Sequence, residues 1–409
     1  MAKIESFFGK GGTEAVSAGS TEVAALLARP EEEQRKAGYF HTLHEILQQP
    51  ATWRRTAREL STQAESLEAT VAGVKTLVLT GSGSSEYAGE CVRLPLQNRL
   101  GAAAQTIGGG MLLTHGGAAI GPGRPGLMVS FARSGDSPES VGAVSAILEA
   151  EPEIRQLVVT CNAEGHLATT YRDDPRVKVV VLAKETNDRS LVMTSSFTNM
   201  VLATLFLGWL KAPAEYVATV DGASAAAEEL LGAHFDQLAE VARRGYDRVI
   251  YLASGAGLGA AQESALKMLE MTGGGVKTAF ESYLGLRHGP MSAVHADTLI
   301  VCFLSSDPLV RAYESDLIRE LNAKQLGLAK VIFGEDIPAD LARSGDVVID
   351  IHGLAKLGDD AMPVLYVLVG QVIAFIRCMK EGLEPDAPSK SGVISRVVKG
   401  FKLHRRQAA

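Results

Sequence analysis

The sequence predicts an α/β fold, with two doubly wound parallel-sheet lobes in tandem behind an N-terminal helical arm. Three observations predict it. From Val74 onward, short runs rich in Val, Ile and Leu alternate with helical stretches, the pattern of parallel strands joined by crossover helices. The same series of elements occurs twice, at an offset of roughly 170 residues, too long for a solenoid repeat and suited to a duplicated domain. The 409 residues are 46% hydrophobic and 21% charged, enough for two or three domains with cores of ordinary soluble composition.

The elements follow in order. Residues 1–50 have helical patterning around "YFHTLHEILQQP" and no strand, which makes them the arm. The first lobe, residues 51–212, gives "TLVLTGSGSS", "GLMVSFARSGDS", "QLVVTCN" and "VKVVVLAKE", then the apolar helix "TSSFTNMVLATLFLGWL". An Ala-rich amphipathic stretch begins near Ala212 and opens the second lobe, residues 213–409 with the tail. That lobe repeats the series as "RVIYLASGAG", "DTLIVCFLSSD", "AKVIFGE" and "DVVIDIHG", then "PVLYVLVGQVIAFI".

Charge and composition narrow the function. A formal charge of −7 argues against a nucleic-acid partner, whose phosphate backbone demands clustered Lys and Arg. Cys91, Cys161, Cys302 and Cys378 form no CxxC pair, and the first three sit in or beside apolar segments as reduced, buried thiols do. The start "MAKIESFFGKGGTEAV" lacks a secretory pattern, and the longest apolar run, from Met362, is shorter than the ~20 residues of a bilayer span. A cytoplasmic protein with no membrane partner is expected.

The turn "GSGSS" ends a strand and opens a helix, so backbone N–H groups, the helix N-terminus and serine hydroxyls point at one spot and suit a phosphate. A dinucleotide fingerprint would want Gly or Ala where Glu86 stands, and a P-loop would want a GK[ST] ending. In the second lobe "GAGLGA" does satisfy GxGxxA, yet the next strand, read as "DTLIVCF", lies too far on for a compact dinucleotide unit. "SFARSGDSPES" supplies a second donor loop in the first lobe. Adjacent parallel strands deliver their loops to one edge, so Ser82, Ser84, Ser85, Ser134 and Ser137 are expected around one phosphate, with no metal and no cofactor. His41, His44 and Glu45 stand close in sequence but have no partner cluster, and a structural role is expected of them.

"GSGSS", "SFARSGDS", "ESALKMLE" and "RHGP", in this order, resemble the sugar isomerase (SIS) family over both lobes. "TNDRSLVMTSSFTNM" and "YFHTLHEILQQPATW" resemble more narrowly the bacterial tagatose-6-phosphate ketose/aldose isomerases, now understood as galactosamine-6-phosphate deaminases. The resemblance implies a small-molecule sugar phosphate as ligand and an amino-sugar-phosphate deaminase/isomerase as activity.

From spacing alone, Glu263, Lys267 and Glu270 share one helical face and read as a surface salt-bridge stripe. Similarity to the isomerase domain of glucosamine-6-phosphate synthase implies more: Glu270 as the carboxylate that moves the substrate proton and Lys267 as its helper. It also implies His288 of "RHGP" as the ring-opening histidine, reaching across a subunit interface, and Lys399 as a tail lysine at the site. A homo-oligomer, at least a dimer, follows by the same analogy. Arg133 is placed at the substrate, where the synthase has an amide, and Met193 lies where it has a hydroxyl, which leaves the choice of sugar open. The absence of a glutaminase half and its N-terminal cysteine favours ammonia release over synthesis. The alternatives are a plain aldose–ketose isomerase, a glucosamine-6-phosphate deaminase, or a non-catalytic sugar-phosphate-binding module.

Overall fold

The computed structural model describes residues 19–397 and 402–404. Two five-stranded sheets organise them, and every strand pairing is parallel. The first contains β1 (Thr76–Thr80), β2 (Ala103–Thr106), β3 (Gly126–Ala132), β4 (Ile154–Thr160) and β5 (Val177–Val181), in the order β2-β1-β3-β4-β5. The second contains β6 (Arg248–Ala253), β7 (Lys277–Ser282), β8 (Thr298–Phe303), β9 (Ala329–Gly334) and β10 (Val347–Asp350). Its order, β7-β6-β8-β9-β10, repeats the first strand for strand.

The apolar runs become strands because helices cover both sheet faces. Every residue of β1, β3, β8 and β9 is buried, which favours branched aliphatic side chains. Edge strand β7 corrects the sequence reading. "KTAFES" has no apolar run because most of it is half-buried or exposed, yet it pairs with β6 along its length. "DTLIVCF" is therefore not the next strand after "GAGLGA", and spacing gives no argument against a dinucleotide there. Packing accounts for those glycines instead. A Cβ on Gly257 would lie 2.9 Å from the Tyr366 ring, and one on Gly259 would lie 2.6 Å from the Cys91 backbone nitrogen. The glycines let the helix Gly257–Met271 press against its neighbours.

One hydrophobic core runs through both lobes and the arm, including Leu43, Trp53, Phe197, Met268 and Phe375. The helix Pro363–Lys380 lies at its centre. At 18 residues it runs past the apolar stretch read from the sequence and is, by length and composition, long enough to cross a membrane, but 89% of it is buried inside the protein, as in a core helix. The four cysteines are free and buried.

The arm comprises the helices Thr21–Ala28, Glu31–Lys36 and Phe40–Leu47 and leads into Gln49–Ser61. It crosses to the second lobe: Asp236 accepts from the backbone N–H of Thr21 at 3.0 Å, and Asp386 from that of Thr42 at 2.7 Å. Gln49 then bonds Gln371 of the second lobe at 2.7 Å, and Thr56 bonds Asn199 of the first at 2.7 Å. His41, His44 and Glu45 do not converge. His41 meets Arg35, His44 meets the Phe40 carbonyl, and Glu45 turns to the backbone of Arg189 and Ser190.

Candidate active site

The site starts from adjacent strands. Thr80 at the end of β1 pairs with Ser130 of β3, so the loops after both strands leave one edge of the sheet. After β1 the chain turns through Gly81 and Gly83. A Cβ on Gly81 would meet the Ser85 backbone at 2.5 Å, and Gly83 has φ +58°, so both positions require glycine. The helix Ser84–Leu100 begins immediately, with Ser84 and Ser85 buried in its first turn and Ser82 exposed just before it. Gly109, after β2, sits beside the Ser82 hydroxyl.

The loop after β3 runs Arg133, Ser134, Gly135, Asp136, Ser137 and opens the helix Pro138–Ala150. The Ser134 hydroxyl accepts from the Asp136 N–H at 3.2 Å, and its carbonyl accepts from Asn162 at 2.8 Å. Neither N-cap residue, Gly83 or Ser137, satisfies its helix with a side chain. Two helix N-termini without side-chain caps thus flank five serines at one sheet edge, a concentration of N–H and hydroxyl donors.

The second lobe handles the same place differently. There Asp307 caps the helix Pro308–Ala323, accepting from the N–H groups of Leu309 at 2.9 Å and Val310 at 3.0 Å. Asp359 fills the remaining space. One of its oxygens accepts from the Ser306 N–H and hydroxyl, both at 2.7 Å, and the other from the Ser305 hydroxyl. The chain's own carboxylates occupy the cradle that the first lobe leaves open.

The helix Gly257–Met271 carries second-lobe side chains to the first-lobe turn. The Lys267 ammonium donates to the Ser84 hydroxyl at 3.1 Å and to Glu270 Oε2 at 2.5 Å, and lies 3.2 Å from Glu263 Oε1. Lys267 and Glu263 are wholly buried, while the Glu270 side chain keeps 25% of its surface exposed. The expected surface stripe is therefore a chain of charges running outward from the core. Burial pushes the Glu263 carboxyl up to about 7, against the pull of Lys267. Burial also works against the Lys267 charge, but the two carboxylates outweigh it and hold the ammonium above its ordinary range.

The remaining expected residues are spread wider. His288 is exposed in the loop after β7, and among the described residues its side chain has no hydrogen-bonding partner, so one chain does not bring it onto Lys267 or Glu270. Arg287 beside it pairs with Glu320 at 2.7 Å. Ser85 reaches Met193 at 4.0 Å. Lys399 lies outside the described residues.

Arg133 is buried, and its guanidinium donates to the carbonyls of Ser190, Leu191, Val192 and Arg396. These bonds pin the loop before the helix Ser195–Leu205 and the C-terminal tail. Sequence reasoning missed the rest of this cluster. Arg396 of the tail donates to the Asp188 carbonyl at 2.9 Å and to Asn187 at 2.5 Å. The Asp188 carboxylate accepts from Thr194 and Ser196, and Glu45 accepts from Ser190. The signal lay in "TNDRS", whose polar residues precede a wholly buried helix.

No family model matches the chain. It is 36% identical to a Streptomyces coelicolor protein provisionally named D-galactosamine-6-phosphate deaminase AgaS, over 89% of this chain and 95% of that one. It is 32% identical to the D-galactosamine-6-phosphate deaminase AgaS of Shewanella sp. (strain ANA-3), over 91% and 94%. Its fold matches a Clostridium novyi NT crystal structure, provisionally a tagatose-6-phosphate ketose/aldose isomerase, with TM-score 0.85 and 30% identity over 93% of this chain and 99% of that one.

Proposed function

The chain belongs to the AgaS family of D-galactosamine-6-phosphate deaminases, and we propose that it converts D-galactosamine 6-phosphate and water to tagatose 6-phosphate and ammonia. One observation carries the chemistry: Lys267 touches both Ser84 of the open anion cradle and Glu270, so phosphate grip and proton transfer meet at one ammonium.

In this reading Ser82, Ser84, Ser85, Ser134 and Ser137 hold the phosphate with the two uncapped helix N-termini. His288, supplied by another subunit to the exposed mouth, assists ring opening. Glu270 removes the proton from C2 of the open-chain aldehyde while Lys267 stabilises the charge that develops on the C1 oxygen. The carboxyl returns that proton to C1, the enolamine becomes a 2-ketimine, and water hydrolyses it to ketone and ammonia. The partly exposed Glu270 faces the sugar with the buried Lys267 directly behind it, whereas Arg133 acts from further off by fixing the loop and tail.

The test incubates purified protein with the 6-phosphates of D-galactosamine, D-glucosamine and D-tagatose in turn. Ammonia and ketose phosphate formed one for one from the galacto sugar, faster than from its gluco epimer, is the expected result. Aldose–ketose interconversion without ammonia would replace the deaminase reading by a plain isomerase. Ligand-dependent thermal stabilisation without turnover would replace it by a binding module.

A further inference from the structure

Glu263 has no part in the chemistry above, yet its surroundings are unusual for a carboxylate. It lies one helical turn before Lys267, is wholly buried, and has the Lys267 ammonium 3.2 Å from one oxygen. That ammonium is equally buried and also bonds Glu270 and Ser84. From the packed helix Ser84–Leu100, the Ser84 hydroxyl acts on Glu263 directly and bonds the same ammonium, and Tyr87 and Cys91 feel the Glu263 charge, while Lys267 and Glu270 act on it from its own helix. An apolar residue would fill such a position at lower cost, because a buried charge is expensive unless its partner needs it.

Without Glu263, Glu270 alone would hold the buried Lys267 ammonium, from one side and 2.5 Å away. A second carboxylate on the far side of the ammonium shares that positive charge, and burial keeps the sharing strong. Two carboxylates then face one buried ammonium.

We propose that Glu263 is a positioning residue that acts through Lys267: its charge keeps Lys267 cationic and centred between Ser84 and Glu270, the arrangement in which Glu270 takes the C2 proton. The inference rests on Glu270 being the base. With Glu263 pushed up to about 7 by burial, its charge is present above neutrality and lost below, so turnover is tied to pH through a group remote from the sugar.

The test measures kcat and KM for D-galactosamine 6-phosphate by ammonia release across the pH range in wild type, Glu263→Gln, Glu263→Asp and Glu270→Gln. Wild type should show an acid limb in kcat near neutral pH. Glu263→Gln should move that limb down by about half a unit to one unit and lower plateau kcat about tenfold, with KM unchanged. Glu263→Asp keeps the charge and should retain the limb with an intermediate kcat. An unmoved limb in Glu263→Gln, or a loss confined to KM, would overturn the proposal. If the Gln variant does not fold, a Glu263→Asp profile identical to wild type in limb and plateau overturns it as well. An active Glu270→Gln enzyme removes the base reading itself, whereas an inactive one beside an unshifted Glu263→Gln profile removes only the role of Glu263.

Discussion

The Lys267 ammonium of the second lobe donates a hydrogen bond to the Ser84 hydroxyl of the first at 3.1 Å. That bond joins the helix bearing the acid–base pair to the turn bearing the anion donors. It depends on the close crossing of the helices Gly257–Met271 and Ser84–Leu100 at Gly259 and Cys91.

Replacing Glu270 by Gln keeps the shape and removes the base. Ammonia release should fall by about 10²–10⁴-fold with KM within a few-fold of wild type. Steady-state kinetics check this, and near-normal turnover would refute the assignment.

Ser84→Ala removes a donor from the first-lobe cradle and a partner from Lys267. A hydrogen bond to a charged group contributes roughly 1.5–3 kcal/mol, so KM should rise about tenfold or more. Inorganic phosphate, assayed as a competitive inhibitor, should weaken in parallel. Ser306→Ala in the filled second-lobe cradle serves as control and should leave both constants unchanged.

Gly259→Ala puts a methyl 2.6 Å from the Cys91 nitrogen and 2.9 Å from its sulfur. Backbone cannot yield cheaply there, so the helices must separate, at a cost of about 1–3 kcal/mol. A lower midpoint in thermal unfolding and reduced kcat are expected together. Gly245→Ala, where an added Cβ meets nothing within 4 Å, should change neither.

The Glu45 carboxyl is pushed up to about 8, first by burial and then by Asp188, which burial also raises. The folded chain therefore binds this proton more tightly than the unfolded chain, whose carboxyl titrates near its ordinary 4.5. The resulting stability is fully present below the unfolded value and is lost as pH rises through about 8. Thermal unfolding should show a midpoint that declines from weakly acidic to alkaline pH. Glu45→Gln should flatten that decline relative to wild type, and parallel curves would contradict the assignment.

Eight of the ten strands among the described residues were legible because burial on both faces writes them as apolar runs, such as "TLVLT" and "TLIVCF". β2 and β7 were obscure for the converse reason: "AAQT" and "KTAFES" are largely half-buried or exposed at a sheet edge, where little apolar signal is required. The serine loops could be placed on one edge because strand adjacency determines where loops emerge. The character of the Glu263–Lys267–Glu270 face was not legible, since helical spacing is the same for a solvated stripe and a buried one. Only the crossing against Ser84 and Cys91 decides between them. Arg133 shows the same limit: its carbonyl partners lie more than 50 residues away in sequence, and no local pattern announces them.

Asp359 has a final consequence. With its carboxylate seated on Ser305 and Ser306, the second half of the molecule folds as though permanently saturated, corked by an anion that cannot diffuse away. The part of ligand-linked stabilisation that comes from holding the anion therefore enters through the first half. The half that carries Lys267 and Glu270 works as a pre-set anvil, and only the opposing half has to wait for cargo.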